Sequence, residues 1–373
     1  MKDKIKKILN DFSGNYADIM IEEGFYTIIT FNGKELKRYT TFSNHGGHVR
    51  VFHKGGKATA SFVDVKHLPE TLKELKTGAE LIGASRKDPI KLSAPELVKA
   101  KYKPKVKIHP ASIKLSEKLD LMKKYNELLL SHPVVTLTEL SYYETIQKKS
   151  FFSTEGTEIT QEIVLVNVFG GIYGKSEDSM QQLRIGLGGD EDYSKVLNRE
   201  SDLNKQCSIM EELVKAEPIK GGVFPVILDP GEAGVFIHEA FGHLSEADSI
   251  QNHPTFRKEM SMNRELGNSI LNVIDDGSLQ GYPGSYKYDD EGVQAKKTYL
   301  IKNGKLTGRM HSRETAADFG EETTGNCRAE SYKFTPIIRM SNIYIDNGDS
   351  DLNGMVASID DGYYLLDAKG GQT

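Results

Sequence analysis

The 373-residue sequence has no tryptophan, two cysteines and no long apolar run. Two cysteines are too few for a disulfide framework, which favours a reducing compartment. A membrane-spanning helix needs about 20 consecutive apolar residues, so no such helix is expected. The basic N-terminal stretch "MKDKIKKILNDF" also lacks the apolar core and cleavage site of a secretory signal. These absences predict a cytoplasmic protein with no membrane partner.

The sequence also lacks an excess of positive charge. Its formal net charge is -5, and its lysines are scattered rather than gathered into one stripe. Such a surface has no general attraction for the phosphate backbone, so we expect no nucleic-acid partner. The 38% hydrophobic and 27% charged residues are ordinary for a globular protein. The length exceeds the usual limit for one compact core, which predicts two domains.

The first half of the chain is predicted to form an antiparallel sheet, because polar and apolar residues alternate over several stretches. Asn32-Gly33 and Gly55-Gly56 predict the turns of a three-stranded meander, and a longer hairpin is predicted to turn near Glu155-Gly156. The predicted strand segments are "YADIMIEE", "YTIITFNGKELKRYTTF", "HVRVFHKGGKATASFV" and "VVTLTELSYYETIQKKSFFSTEGTEITQEIVLVNVFG".

Helical periodicity separates these strand segments. The predicted helices are "LPETLKELKTGAELIGAS", "SIKLSEKLDLMKKYNELLLS" and residues 202–215, with "KYKPKVKIHP" as a polar connector. The N terminus has apolar residues at helical spacing, which we expect to pack onto the same domain: Met1, Ile5, Ile8, Leu9 and Phe12. Residues 1–216 are therefore predicted to be an α+β domain whose helices cover one face of an antiparallel sheet.

After Pro218 the pattern changes to glycine-punctuated strands around one helix. Residues 217–373 are predicted to be a β-rich C-terminal domain with a hairpin on Asn303-Gly304. "GGVFPVIL" predicts a short buried strand, "DPG" a turn, "FIHEAFGHLSEAD" a helix and "IIRMSNIYIDNGD" another strand. The glycine-rich stretches "GGVF" and "GLGGDED" lack the setting of a phosphate-binding loop and are interpreted as turns.

The predicted helix carries His238 and His243 five residues apart. On a regular α-helix five residues advance about 140° beyond a full turn, which points the two rings apart. A one-residue expansion of π type would bring the fifth residue back over the first. Gly242, directly before the second histidine, is the residue best able to allow this distortion. The spacing therefore permits a shared metal ion if the helix is distorted.

Such a pair would suit the chemistry of a zinc peptidase. Zinc held by His238 and His243 would lower the pKa of a bound water toward about 7, and Glu239 would take its proton. Glu246 or Asp248 could accept the outer N–H of a ligating histidine and fix its tautomer. The alternative is that both histidines are ordinary, partly buried members of an amphipathic helix.

Several long segments resemble the TldD/PmbA family of metalloproteases, in particular its TldD-like branch. They are "NYADIMIEE", "GGHVRVFHKGGKATASF", "PVILDPGEAGVFIHEAFGHLSEAD", "DDGSLQGYPGSYKYDDEGVQAKKTYLIKNGKLTG", "HSRETAADFG" and "TGNCRAESYKFTPIIRMSNIYI". The resemblance implies zinc held by His238 and His243, Glu239 as general base, and an unfolded or extended peptide as substrate. It also implies a chamber enclosed by two subunits, formed with a PmbA-like partner or as a homodimer.

One feature of that family is missing from this sequence. The family's third protein ligand is a cysteine close to the end of a longer chain, whereas no cysteine follows Cys327 here. Three explanations stay open: the chain is a fragment, another residue completes the site, or metal binds weakly or not at all. His253 and His311 are the substitutes considered, each against a surface or loop role, and Cys327 is expected to be a buried packing residue.

Other residues allow weaker hypotheses. His45 and His48 could form a second metal site, but a loop role is favoured because no acidic or cysteine partner lies near them. Arg328, Glu330 and Arg339 could orient substrate or the site, and structural salt bridges explain them equally well. Two functions follow from the whole sequence: a zinc-dependent peptidase, or a non-catalytic peptide-binding or partner subunit with an incomplete metal site.

Overall fold

The computed structural model describes residues 2–94, 96–177 and 179–367. Its α-helices are α1 (Lys2–Asn10), α2 (Leu68–Ser85), α3 (Leu115–Leu130), α4 (Glu200–Leu213), α5 (Pro230–Ile237), α6 (Ala247–Gln251), α7 (Pro254–Glu259), α8 (Arg313–Phe319) and α9 (Leu352–Ala357). Its first seven strands are β1 (Tyr16–Asn32), β2 (Glu35–His53), β3 (Gly56–Phe62), β4 (Lys99–Tyr102), β5 (Val135–Ser153), β6 (Glu158–Lys175) and β7 (Met180–Asp190). The others are β8 (Val226–Leu228), β9 (Val273–Asp276), β10 (Lys297–Lys302), β11 (Lys305–Leu306), β12 (Cys327–Arg328), β13 (Ile337–Ile338), β14 (Ile343–Ile345) and β15 (Tyr363–Leu365).

The first seven strands form one sheet in the order β3-β2-β1-β5-β6-β4, and β7 also pairs with β6. Neighbouring strands are antiparallel, except that β4 runs parallel to β6. Strands β1, β2, β5 and β6 contain 17, 19, 19 and 18 residues. At about 3.3 Å per residue, these strands are unusually long. The predicted antiparallel sheet is confirmed, and stretches predicted as separate strands are joined into continuous ones.

The hairpin turns lie close to their predicted positions. Gly33 and Gly156 have φ angles of 55° and 101°, a left-handed backbone that glycine adopts without steric penalty. At the second turn the left-handed residues are Lys54 and Gly55, with φ angles of 49° and 79°. That pair is the signature of a type I′ turn. Gly56, predicted as part of this turn, is instead the first residue of β3.

The predicted helices of the first domain are confirmed. Helix α2 has the predicted bounds, with a proline in its first turn, where the missing N–H has no helical partner to lose. Helices α3 and α4 agree with the prediction to within a few residues. Helix α1 buries Ile5 and Leu9 against strands β1 and β2. Met1, the other end of that apolar pattern, lies outside the described residues.

All four helices cover the same face of the sheet. Ile19 and Ile21 of β1 contact the cluster beneath α1 and α2, and Ile29 of the same strand contacts the cluster beneath α3 and α4. Because successive side chains of a strand alternate between faces, these odd-numbered residues share one face. Met20, on the other face, packs with Tyr288 from the C-terminal part. The helices are thus on one side of the sheet and C-terminal residues on the other.

Three local predictions for loops and strands are wrong. The connector "KYKPKVKIHP" begins inside β4. The glycines of "GLGGDED", interpreted as a turn, lie in β7, where Gly188 and Gly189 have φ angles of 78° and 82° at a register shift opposite β6. The strand in "GGVFPVIL" is not buried: β8 is three residues long and Val226 is 50% exposed.

The C-terminal part contains shorter strands. Strands β9, β10, β11 and β14 form a four-stranded sheet in the order β11-β10-β9-β14, and two further pairs join β12 to β13 and β8 to β15. The predicted hairpin on Asn303-Gly304 is confirmed, with φ angles of 51° and 74°. The single strand predicted in "IIRMSNIYIDNGD" is two strands in different sheets. Ile237, Phe241 and Met340 belong to the apolar cluster of this part.

Buried ion pairs join the two parts of the chain. The Arg50 guanidinium lies 2.6 Å from Asp18 on the neighbouring strand and 2.6 Å from Glu291 of the C-terminal part, and all three side chains are almost fully buried. Lys149 and Asp290 form a second buried pair at 2.9 Å. The two-domain boundary at residue 216 stays a prediction. Among the described helices, none combines the length and apolar character that crossing a bilayer requires.

Candidate metal centre

Helix α5 leads directly into the turn that carries the candidate site, and its first residues are fixed by an N-cap. The Asp229 carboxylate accepts a hydrogen bond from the backbone N–H of Glu232 at 2.7 Å, as an N-cap does. Pro230 occupies the first helical position, where its fixed φ suits a helix. The stretch "DPG", predicted to be a separate turn, is therefore the beginning of the helix that carries His238.

The helix changes form at His238. Residues His238–Gly242 form a π-helical turn, in which the backbone N–H of His243 donates to the carbonyl oxygen of His238. This five-residue hydrogen bond is the π expansion that a metal site shared by the two histidines would require. A 3₁₀ turn over His243–Ser245 follows directly. The helix thus widens by one residue at the position where the second histidine must turn back over the first.

The π turn brings the two histidine rings together. The ring centroids of His238 and His243 are 4.9 Å apart, and the ring planes are nearly perpendicular at 86°. Glu239 follows the first histidine and is half-buried. Its carboxylate makes no hydrogen bond or ion pair with the residues that the structure describes. Two imidazoles and a carboxylate with free acceptor oxygens therefore share one short segment.

Gly242 serves a different purpose from the predicted one. Its φ and ψ angles are -55° and -51°, an ordinary right-handed helical backbone that any residue adopts. What excludes a larger residue is space, because an added Cβ would overlap Sδ of Met340 and lie 3.0 Å from Cδ1 of Ile343. Met340 is 7% exposed. The glycine therefore lets the C-terminal strands pack directly against the histidine turn.

Glu246 supports the second histidine. Its Oε2 lies 3.2 Å from Nδ1 of His243, and the side chain is buried. Burial raises the pKa of this carboxyl group, while the hydrogen bond from His243 opposes that shift. Its Oε1 is buried and makes no hydrogen bond within the described part of the chain. Asp248, the other predicted supporting residue, instead accepts the backbone N–H of Ile338 at 3.2 Å.

The environment favours a neutral ring at His238. Burial lowers the pKa of this imidazole, and repulsion from His243 lowers it further, against the opposing effect of Glu239. A neutral imidazole keeps one nitrogen lone pair free, which is the form that binds a metal. The hydrogen bond from Nδ1 of His243 to Glu246 likewise leaves Nε2 of that ring as the available nitrogen.

These donors fit zinc incompletely. Zinc takes imidazole nitrogen readily, and a carboxylate behind one ring is the usual support for such a ligand. Within residues 2–94, 96–177 and 179–367, however, no cluster of three histidine, cysteine, aspartate or glutamate side chains is placed to hold a metal ion. The described residues thus supply two adjacent imidazoles and their support, and leave the third protein ligand unassigned.

Neither substitute histidine completes the site. His311 is buried, with Nδ1 3.0 Å from the hydroxyl of Thr315 and Nε2 2.8 Å from Glu321, so both ring nitrogens are engaged. His311 lies in the loop before α8, as the loop role predicts, but it is buried rather than at the surface. His253 is exposed at the start of α7, as such a role predicts. Cys327 is buried, and burial raises its thiol pKa well above the usual value; the expected packing role agrees with this.

The loop role of His45 and His48 is wrong. Both residues lie in β2, three positions apart, and therefore on opposite faces of the sheet. His45 is exposed. His48 is buried, and burial lowers the pKa of its ring to about 4, with the neighbouring Arg50 acting in the same direction. The two rings cannot share a metal ion in this arrangement.

Arg328, Glu330 and Arg339, for which salt bridges were the alternative, form none with the residues described here. Arg328 donates to the carbonyl oxygen of Met340 and lies over the ring of Tyr286 at 4.7 Å. It therefore supports the link between β13 and β14, which packs on the histidine turn through Met340. Arg339 is exposed. Its positive charge adds to the burial that lowers the pKa of His238, and it opposes the burial that raises the pKa of Glu246. Glu330 lines a cavity on the sheet.

Sequence reasoning missed the buried charges that join the two parts. Arg50 lies directly opposite Asp18 on the neighbouring strand. The only local signal is an arginine at a position where the strand pattern predicts an inward-facing residue. Glu291 belongs to the acidic run in "KYDDEGV". Its partner lies 241 residues away, a separation that no local pattern indicates.

The chain matches two family models and several known metalloproteases. The sequence model of the PmbA/TldA metallopeptidase C-terminal domain matches residues 221–373, and that of PmbA/TldA metallopeptidase domain 1 matches residues 17–79. A metalloprotease of Synechocystis sp. is 34% identical, over 99% of this chain and 81% of the relative. A metalloprotease of Methanocaldococcus jannaschii is 33% identical over the same shares, 99% and 81%. A zinc metalloprotease TldD homolog of Saccharolobus solfataricus is 34% identical over 68% of this chain and 57% of the relative.

Solved structures share the fold. TldE from Thermococcus kodakarensis superimposes with a TM-score of 0.79 at 17% identity, covering 99% of this chain and 83% of that chain. A structure from Thermotoga maritima gives a TM-score of 0.80 at 18% identity, covering 99% and 83%. At these identities the likeness establishes the fold alone, and it confirms the predicted fold class with its large antiparallel sheet.

Proposed function

This chain belongs to the PmbA/TldD metallopeptidase family, and from that premise we propose that it is a zinc-dependent peptidase acting on unfolded or extended polypeptides. The observation that carries the proposal is the pairing of His238 and His243 across a π-helical turn that also holds Glu239. The zinc metalloprotease name of the Saccharolobus solfataricus relative supports the choice of metal.

The rings of His238 and His243 would hold the ion. His238 offers a lone pair because its lowered pKa keeps the ring neutral. Glu246 accepts a hydrogen bond from Nδ1 of His243, which would leave Nε2 of that ring to bind the ion. A zinc ion bound there would act as a Lewis acid toward the scissile carbonyl and would lower the pKa of a water molecule.

Glu239 is the proposed general base. Its carboxylate has no partner among the described residues, so its oxygens are free to accept a proton. It would take the proton from the attacking water and deliver it to the nitrogen of the leaving amine. Positioned acid–base groups of this kind contribute about 10²- to 10⁴-fold to a rate, which makes Glu239 the residue whose removal separates binding from cleavage.

An exposed strand edge suits an extended substrate. Strand β3 pairs only with residues 47–53 of β2, so residues 35–46 pair with β1 but have no described strand on their outer side. A peptide can add to such an edge through main-chain hydrogen bonds, with little demand on its sequence. The structural likeness to TldE supports assembly with a PmbA-like partner subunit or as a homodimer.

The test combines metal analysis with peptide cleavage for the wild type, Glu239→Gln and Glu232→Gln. Glu232 lies on the same helix outside the histidine turn and is the matched control. The proposal expects one zinc per chain in all three proteins, with cleavage of an unfolded polypeptide lost only in Glu239→Gln. Unchanged cleavage in Glu239→Gln would remove Glu239 from the mechanism.

A second candidate is a non-catalytic peptide-binding or partner subunit. It is favoured by the lack of a third clustered ligand among the described residues. This alternative predicts peptide binding that survives both chelation and the loss of His238 and His243. Peptide binding that strictly requires metal would exclude it, whereas a wild-type protein that holds zinc but cleaves no unfolded polypeptide would favour it.

A further inference from the structure

A cavity of about 390 Å³ opens on the face of the sheet opposite the helices. Strands β1, β5 and β6 form its floor, where Tyr26 pairs with Thr145, and Thr145 pairs in turn with Leu165. Two loops of the C-terminal part, one after β9 and one after β12, form its walls. The volume lies within the range of small-ligand pockets, and both parts of the chain build it.

The lining combines aromatic rings with negative charge. Tyr26, Tyr143 and Tyr282 contribute rings, and Glu191 and Glu330 contribute carboxylates, while no lysine, arginine or histidine is among the described residues that line the cavity. A positive charge is attracted to the face of a tyrosine ring. The carbon chain of such a ligand would at the same time cover apolar surface. The lining therefore suits a long side chain that ends in a positive charge.

The floor is held in place before a ligand binds. The hydroxyl of Tyr26 accepts hydrogen bonds from Nδ2 of Asn44 and Nε2 of Gln147, both at 3.1 Å. The Tyr26 ring stacks on Phe42 with centroids 4.7 Å apart and an angle of 10°. A ring fixed in this way loses little conformational freedom when a ligand arrives, which favours affinity.

Glu330 supplies an available charge at the wall. It is exposed and makes no hydrogen bond or ion pair with the described residues. Its loop is anchored directly before Glu330: the backbone N–H of Ala329 donates to Asp290 at 2.8 Å. Arg328, two residues before Glu330, donates to the carbonyl of Met340, the residue that packs against the histidine turn at Gly242.

We propose that this cavity binds a lysine or arginine side chain of the polypeptide substrate, with its charged group at Glu330 and its carbon chain against the tyrosine rings. The proposal takes a peptide substrate from the proposed function and adds a preference for a basic side chain. The cavity would thus determine which substrate side chain is preferred, although neither His238 nor His243 lines it.

The test measures binding of two peptides, acetyl-Gly-Lys-Gly amide and its norleucine analogue, to protein freed of metal by dialysis against EDTA. Norleucine keeps the apolar chain and removes the charge. We expect the lysine peptide to bind the wild type about tenfold more tightly, the scale of one charge-assisted contact. Glu330→Gln should abolish that preference, and Tyr143→Leu should weaken binding of both peptides.

Glu217→Gln is the matched control, because Glu217 is exposed in the link after α4 and does not line the cavity. Equal affinity of the two peptides for the wild type, or a lysine preference that persists in Glu330→Gln, would overturn the proposal. A lysine preference in a protein without peptidase activity would leave the cavity assigned and reject the hydrolase. Cleavage without any lysine preference would do the reverse.

Discussion

The backbone N–H of His243 donates to the carbonyl oxygen of His238, five residues earlier. This single bond determines how the two imidazoles are placed, because a regular α-helix would separate residues at this spacing by about 140° around its axis. With it, the ring centroids are 4.9 Å apart. The candidate metal centre therefore depends on the π-helical turn, against which Met340 and Ile343 pack at Gly242.

Replacing Gly242 with alanine should disturb that packing. The added Cβ would overlap Sδ of Met340, and overpacking of this kind costs about 1 to 3 kcal/mol. Urea unfolding should show the loss of stability, and zinc affinity should fall with it. Gly234→Ala on helix α5 is the control, because its Cβ would meet no atom within 4 Å. If both variants are equally stable, the space at Gly242 is not what the helix requires.

Replacing Glu246 with glutamine should weaken zinc binding without unfolding the protein. The variant loses the negative charge that accepts the Nδ1 proton of His243. Loss of such a supporting partner typically reduces metal affinity about 10- to 100-fold. Competition against a chelating dye measures the change, with Glu232→Gln as the control. Wild-type affinity in Glu246→Gln would mean that the hydrogen bond does not prepare the ring for metal.

Replacing Arg50 with alanine should strongly destabilise the fold. The change leaves Asp18 and Glu291 buried without their partner, and removing one member of a buried pair costs about 3 to 5 kcal/mol. Lys54→Ala is the control, because Lys54 pairs with Glu80 at the surface, where pairs contribute about 0 to 1 kcal/mol. The free energies of unfolding in urea compare the two. Similar losses would show that Arg50 does not join the two parts.

His48 should make the fold sensitive to acid. Its pKa in the folded chain is about 4, below the ordinary 6.5, mainly because the ring is buried. The folded state therefore favours the neutral ring. The contribution of this ring to the stability of the fold is complete above pH 6.5 and is lost as the pH falls through 4. The difference between the two pKa values corresponds to about 3 kcal/mol of folding free energy.

Unfolding free energies of the wild type and His48→Gln between pH 7 and about pH 4 measure this contribution. The difference between the two proteins should change with pH by the amount expected for one histidine. His45→Gln, an exposed change on the same strand, should follow the wild type. A pH dependence that is identical in His48→Gln would show that another group causes the acid sensitivity.

Elements governed by local sequence could be predicted. Helix α2 has its predicted bounds because its apolar period and its first-turn proline lie within one segment. The five-residue spacing indicated that a shared metal ion would require a π expansion, and the structure has that turn at His238. The support of His243 by Glu246 was one of two predicted options, and the structure distinguishes them because the chain leaves helical form before Asp248.

Features governed by residues distant in the chain could not be predicted from the sequence. Gly242 was predicted to relax the helix, but the limiting contact is with Met340, which local patterns do not reveal. The glycines of β7 look like turn residues, and only their pairing with β6 makes them a strand. His48 became a buried strand residue for the same reason. The cytoplasmic location and the domain boundary at residue 216 stay predictions.

The central claim is that His238 and His243 bind one zinc ion together. Competitive zinc titration of the wild type, His238→Gln, His243→Gln and His253→Gln tests it, since His253 is an exposed histidine outside the turn. We expect one zinc per wild-type chain, the same affinity in His253→Gln, and loss of tight binding in each of the other two variants. A wild-type chain that binds no zinc, or zinc binding that survives both His238→Gln and His243→Gln, would contradict it.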